Sequence, residues 1–214
     1  MKIKRIIAAV LILICSAVTP VYAEGESKGI ILIDPGHGGI DGGAKSKNGT
    51  IEKDINLAIG LEFQKRLEEE GYTVYLTRNE DKQIASSKRK DLAERCKMKE
   101  DTKCDLFISI HQNKFHQERC HGAQVWYANN ENSEKLATAI QNAIKEKTDP
   151  SNKRLAKPAN EQYKILRDKY PGASVIVECG FISNNKEENL LKSEDYQHKI
   201  VDGLILGVDN YFGL

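Results

Sequence analysis

GIILIDPGHGG, residues 29–39, sets four large apolar residues in a row and then stops abruptly at Asp34-Pro35 and a run of glycines. An uninterrupted apolar run of this length, bounded by turn residues, reads as a strand buried on both faces, from Gly29 to Asp34. Moving outward, similar runs appear at Leu106–Ile110 (LFISI) and Ala173–Val177 (ASVIV), with further strands expected at Tyr72–Thr77 and Ala123–Tyr127. Between them lie segments of helical period. In Asp54–Glu70, residues Ile55, Ile59, Phe63 and Leu67 fall four apart on one face, and Gly71 supplies the stop. A charged helix containing Ile84, Leu92 and Ala93 follows, then helices over Leu136–Ile144 and Tyr196–Tyr211. Thr148–Pro158 reads as a polar excursion over the surface, and Tyr163–Leu166 as a short strand. Strands alternating with helices predict an α/β fold: a single domain, with a mostly parallel twisted sheet of about six strands flanked by helices on both faces.

Composition agrees with one domain. The chain has 214 residues, 40% hydrophobic and 29% charged, enough for one core and too short for two comfortable domains. Neither disorder nor a collagen-like repeat fits these values. A net charge of +1 gives no overall field for nucleic acid, so no nucleic-acid partner is expected.

Residues 1–23 stand apart. Lys2, Lys4 and Arg5 precede the apolar run Ile6–Val18, Pro20 breaks it, and Val21-Tyr22-Ala23 offers small residues for cleavage. This is the order of a secretory signal peptide, and the run is short of the roughly 20 residues needed to span a bilayer. Ile14 before Cys15 does not suit a lipoprotein site. The expectation is export, cleavage after Ala23, no transmembrane span thereafter, and a functional domain over residues 24–214. Cleavage removes three basic residues and no acid, which takes the net charge from +1 to −2. Four cysteines remain, Cys96, Cys104, Cys120 and Cys179. They allow three pairings, and a chain of this length does not need disulfide staples, so paired and free states stay open.

Three of the buried strands run into residues foreign to a core. The first leads to Asp34-Pro35-Gly36-His37, the third to His111-Gln112-Asn113 and the late one to Glu178-Cys179-Gly180. In open α/β sheets, ligands sit beyond the carboxyl ends of strands. Two histidines with carboxylates form a zinc vocabulary, because a catalytic zinc takes three His, Asp or Glu ligands and leaves a position open. A further carboxylate can carry the proton. Glu52, at the start of the first helix, is placed to reach back to His37 across the glycine-rich loop. Taken singly, each residue has a plain structural explanation: a hydrogen-bonded turn histidine, an acid at a helix start, a buried ion-pair partner.

These residues resemble the zinc-dependent N-acetylmuramoyl-L-alanine amidases of bacterial cell walls, over nearly all of residues 29–214. The resemblance is carried by DPGHGG at 34–39, EKDINLA at 52–58, VYLTRNED at 74–81, SIHQN at 109–113 and VIVECGFISN at 175–184. It implies one Zn2+ per chain held by His37, Glu52 and His111, with Glu178 as the catalytic glutamate and Asn113 as a substrate contact. The substrate implied is peptidoglycan, cut at the amide between N-acetylmuramic acid and L-alanine of the stem peptide. The segment 121–144, HGAQVWYANNENSEKLATAIQNAI, is similar to the germination-specific spore-cortex members. That implies action in the cell wall or spore cortex, on the way to muramic-δ-lactam. The loop IDGGA at 40–44 and the triplet HQN at 111–113 depart from commoner family versions without touching an implied ligand.

Other motifs in the sequence fit less well. Gly38 and Gly43 have phosphate-loop spacing, but Ala44 intrudes before Lys45, and Asp41 breaks a dinucleotide fingerprint. Cys104, His111, His116, Cys120 and His121 crowd together in sequence without a known structural zinc spacing, and the run Lys88-Arg89-Lys90 reads as a solvated helix face. The alternative function is a catalytically silent or partner-dependent peptidoglycan-binding domain of the same fold. An accessory protein aiding activity or zinc retention would find a contact surface near Thr148–Lys157.

Overall fold

The computed structural model describes residues 27–214, so the signal peptide expected at 1–23 lies outside the described residues. The run after Gly29 forms β1 (Ile30–Pro35), and α1 (Glu52–Glu69), β2 (Thr73–Leu76), α2 (Lys88–Thr102) and β3 (Leu106–Asn113) follow. β4 (Gln124–Tyr127), α3 (Glu131–Thr148), β5 (Lys157–Pro158) and β6 (Ala173–Phe181) complete the sheet, and α4 (Asn185–Leu191) and α5 (Glu194–Phe212) close the chain. The strand order is β2-β1-β3-β6-β4-β5. β2, β1, β3 and β6 are parallel, whereas β4 runs antiparallel to β6 and carries β5 parallel beside it.

Because β1 and β3 are buried on both faces, alternate residues serve two cores. Ile31, Ile33, Ile108, Ile110, Val175 and Val177 face α1, α3 and α5. Leu32, Phe107 and Ile176 face the other way, toward α2 and the chain around Ile165 and Leu166. The expected helices on both faces are therefore present. α3 and α5 approach closely because Gly203 and Gly207 carry no Cβ; one added there would lie 2.7 Å from Cα of Ile144 and Ile140 respectively.

Several details differ from the sequence reading. Tyr163–Leu166 is not a strand: Lys164–Leu166 forms one turn of 3-10 helix, anchored by the buried Lys99 ammonium on the Ile165 carbonyl at 2.7 Å. Ile84 lies before α2, whose first turn is set by Ser87 capping the Lys90 N–H. The polar excursion contains the two-residue strand β5, and α4, capped by Asn184, was not expected. β3 and β6 extend to Asn113 and Phe181, so the polar residues that followed the apolar runs are themselves paired within the sheet. Cys96, Cys104, Cys120 and Cys179 are all free thiols.

Candidate metal and catalytic site

The loop after β1 is fixed from beneath by charge. Asp34, fully buried, accepts hydrogen bonds from Thr77 Oγ1 at 2.6 Å and Ser109 Oγ at 2.7 Å and pairs with Arg95. Burial alone would push its carboxyl up, but Arg95 and the two hydroxyls outweigh that and hold it at about 2. Arg95 and Arg78, 2% and 1% exposed, spend most of their remaining N–H groups on loop carbonyls. Arg78 donates to Pro35, Gly36 and Lys53, and Arg95 to Pro35 and His37. His37 is thereby held at φ +63°, a left-handed conformation that a non-glycine residue seldom adopts.

Glu52 then meets both histidines. Its backbone opens α1, and its Oε2 accepts the Ala44 N–H at 2.7 Å. Its Oε1 lies 3.3 Å from His37 Nε2 and 2.9 Å from His111 Nδ1. The other ring nitrogen of His37, Nδ1, is 3.1 Å from Asp41 Oδ2. A carboxylate only accepts, so Asp41 can hold a proton on Nδ1 and, with a metal in place of the Glu52 contact, would leave the Nε2 lone pair for the ion. Burial opposes ionisation of Glu52, yet its contacts with His111 and His37 keep it far below the ordinary carboxylate range.

One ligand atom from each of His37, Glu52 and His111 lies within 4.8 Å of the others. Glycine makes room for this: a Cβ on Gly36 would stand 2.3 Å from His111 Nε2, and one on Gly43 2.6 Å from Glu52 Oε2. Two imidazoles and a carboxylate, with no fourth donor in the group among the described residues, suit a catalytic zinc that keeps one position open.

Glu178 on β6 is the direct register partner of His111 on β3. It is 8% exposed, and its Oε2 is buried without a hydrogen-bond partner. Burial, above all, pushes this carboxyl up to about 7; His111 and His37 pull it down, and Glu52 adds to the rise. A carboxyl near 7 can take up and release a proton at neutral pH.

The structure thus brings His37, Glu52, His111 and Glu178 together. Asn113 lies at the end of β3, beyond an irregularity in the ladder, opposite Phe181 and outside the cluster. His116 and His121 are exposed, and among the described residues no second group of three or more His, Cys, Asp or Glu converges; of the crowded segment 104–121 only His111 joins such a group. Sequence reasoning missed Asp41, Arg78 and Arg95. Arg78 lay in view, as a cation inside the motif VYLTRNED just after the strand, whereas nothing in the helix around Arg95 distinguishes it from its solvated neighbours.

The family model for N-acetylmuramoyl-L-alanine amidase matches residues 31–210. The germination-specific N-acetylmuramoyl-L-alanine amidase of Bacillus subtilis (strain 168) is 34% identical over 192 residues, 86% of this chain and 79% of that protein. Among solved structures, the CwlD amidase from Clostridioides difficile, in complex with the GerS lipoprotein, is 37% identical with a TM-score of 0.82; the match covers 86% of this chain and 98% of that one. The amidase AmiC2 of Nostoc punctiforme is 29% identical with a TM-score of 0.77, covering 89% and 100%.

Proposed function

Because the chain belongs to the N-acetylmuramoyl-L-alanine amidase family, a family of peptidoglycan hydrolases, we propose that it is a zinc-dependent member acting on the amide between N-acetylmuramic acid and L-alanine. His37 Nε2, His111 Nδ1 and Glu52 would hold one Zn2+ per chain. When bound, zinc polarises the scissile carbonyl and makes water a competent nucleophile at neutral pH. Glu178 accepts the proton of that water and delivers it to the departing amide nitrogen, so L-alanine leaves as a free amine. Asp41 fixes the His37 ring, and the buried Arg78 and Arg95 fix the loop that carries it. Asn113 is proposed only as a contact for substrate at the rim.

The observation that carries this reading is the convergence of three metal-ligating side chains, two imidazoles and a carboxylate, beside a buried carboxyl with an unpartnered oxygen. Replacing Glu178 by Gln should lower turnover by about a hundredfold or more while zinc stays bound in equal amount, read by kinetics and metal analysis together. Loss of zinc in that variant would make Glu178 a ligand and overturn the assignment. His116→Ala and His121→Ala serve as controls and should leave activity intact.

The wider setting is part of the proposal. Residues 1–23 would export the chain, residues 24–214 would form the catalytic domain, and the place of action would be the cell wall or spore cortex. Support comes from the germination-specific name of the 34% identical relative. Stem-peptide removal there would precede formation of muramic-δ-lactam. An accessory protein that aids activity or zinc retention is consistent with the CwlD neighbour, which was solved with a lipoprotein.

A further inference from the structure

Arg154 follows α3 in the stretch that leads to β5, and three separate parts of the chain hold its guanidinium. The group lies over the Phe181 ring, 4.6 Å from the centroid. Its Nε–H donates to the His121 carbonyl at 2.8 Å, and one terminal nitrogen donates to Gln124 Oε1 at 3.4 Å. The remaining N–H groups have no protein acceptor among the described residues, and no carboxylate lies within ion-pair distance. Arg95, by contrast, is neutralised by Asp34 and Asp91. A half-buried cation that is fixed in place, with the Glu187 carboxyl acting on it only from beyond ion-pair distance, has donors to spare for a ligand.

Its position gives the ligand. Across the sheet, His111 on β3, Glu178 on β6 and Gln124 on β4 are register partners standing side by side. Neighbouring strands lie about 4.8 Å apart, so Gln124, with Arg154 bound to it, flanks Glu178 on the side away from His111. A peptide advances at most about 3.5 Å per residue. A group carried on the second residue beyond a scissile carbonyl held near His111 and Glu178 therefore falls within reach of Arg154. In the stem peptide, the residue after L-alanine is acidic and is linked through its side chain, which leaves its α-carboxylate free.

We propose that Arg154, seated on Phe181 and Gln124, binds this free carboxylate and so selects acidic stem peptides over those in which it is amidated. The inference rests on the amidase reading of the site and names the substrate feature that the site selects.

The test uses two ligands, N-acetylmuramoyl-L-alanyl-D-glutamate and its analogue with the α-carboxylate converted to the carboxamide. Each is titrated calorimetrically into zinc-loaded full-length protein carrying Glu178→Gln, with Arg, Lys or Gln at position 154. With Arg154, the acid should bind about tenfold or more tighter than the amide, as expected for a charge-assisted bidentate pair. Arg154→Gln should bind the two alike, and Arg154→Lys should keep part of the preference, which a merely structural role would not produce. Equal affinity for acid and amide with Arg154 present, equal weakening of both by Arg154→Gln, or binding of neither would overturn the proposal. Hydrolysis of peptidoglycan by the wild-type protein is scored separately. An arginine-dependent preference without hydrolysis would remove the amidase reading and leave a carboxylate site. Hydrolysis without the preference would do the reverse.

Discussion

At the scale of the residue, two neighbouring carboxyls are shifted in opposite directions. Glu52, gripped by two imidazoles and two backbone N–H groups, stays ionised. Glu178, buried with an unpartnered oxygen, sits at about 7, where a proton can come and go. His37 depends on a neighbour for its orientation. Asp41→Asn keeps the size of the side chain but gives up the charge that fixes the Nδ1 proton. Zinc affinity should fall about tenfold or more, measured by competition with a chromogenic chelator. Unchanged affinity would show that Asp41 does not orient the ligand. His37, His111 and Glu178 were legible in sequence because three apolar strands run into them together, and Glu52 because the resemblance singles out a helix-start acid that would otherwise look ordinary. Asp41 was not, since an aspartate in a glycine-rich loop looks like an ordinary turn residue.

At the scale of the element, the loop after β1 keeps its shape through the buried Asp34–Arg95 pair beneath it. Asp34 has a folded pKa of about 2, against about 3.9 for an unfolded aspartate. A depressed folded value means the stabilisation is complete above about pH 4 and is lost as pH falls through 4 toward 2. The pair of values corresponds to roughly 2–3 kcal/mol. Asp34→Asn should reduce the pH dependence of unfolding in that window relative to the wild type, measured by denaturant titration with chelator present for both proteins, so that the likewise depressed Glu52 carboxyl contributes alike to each. An unaltered slope between pH 4 and 2 would contradict the assignment. Arg95→Met should cost more, about 3–5 kcal/mol, because it leaves a buried carboxylate without its counter-charge. Elements long enough to show their period, β1, β3, β6, α1 and α5, were readable in advance. The direction of β4 was not, because four residues of apolar pattern carry no sign of parallel or antiparallel pairing. The two residues of β5 and the single turn at Lys164–Leu166 fall below the length at which periodicity speaks, and tertiary contacts such as Lys99 on Ile165 decide them.

For the whole molecule, the sheet order is what turns separate motifs into a site. β1, β3 and β6 are consecutive neighbours in the sheet, so His37, His111 and Glu178, scattered over more than a hundred positions of sequence, arrive at one edge. The reversal of strand direction at β4 then adds Gln124, and through it Arg154, on the far side of Glu178. A purely parallel reading of the sequence could not place that side of the cleft. The activity proposed for this site is metal-dependent cleavage at the first bond of the stem peptide. The direct test is to incubate the purified protein, with zinc supplied, on intact peptidoglycan and identify released products by mass spectrometry, with and without a chelator. Intact stem peptides beginning at L-alanine should be released, absent under chelation and restored by added zinc. Release that persists fully under chelation, or fragments cut at any other bond, would contradict that activity.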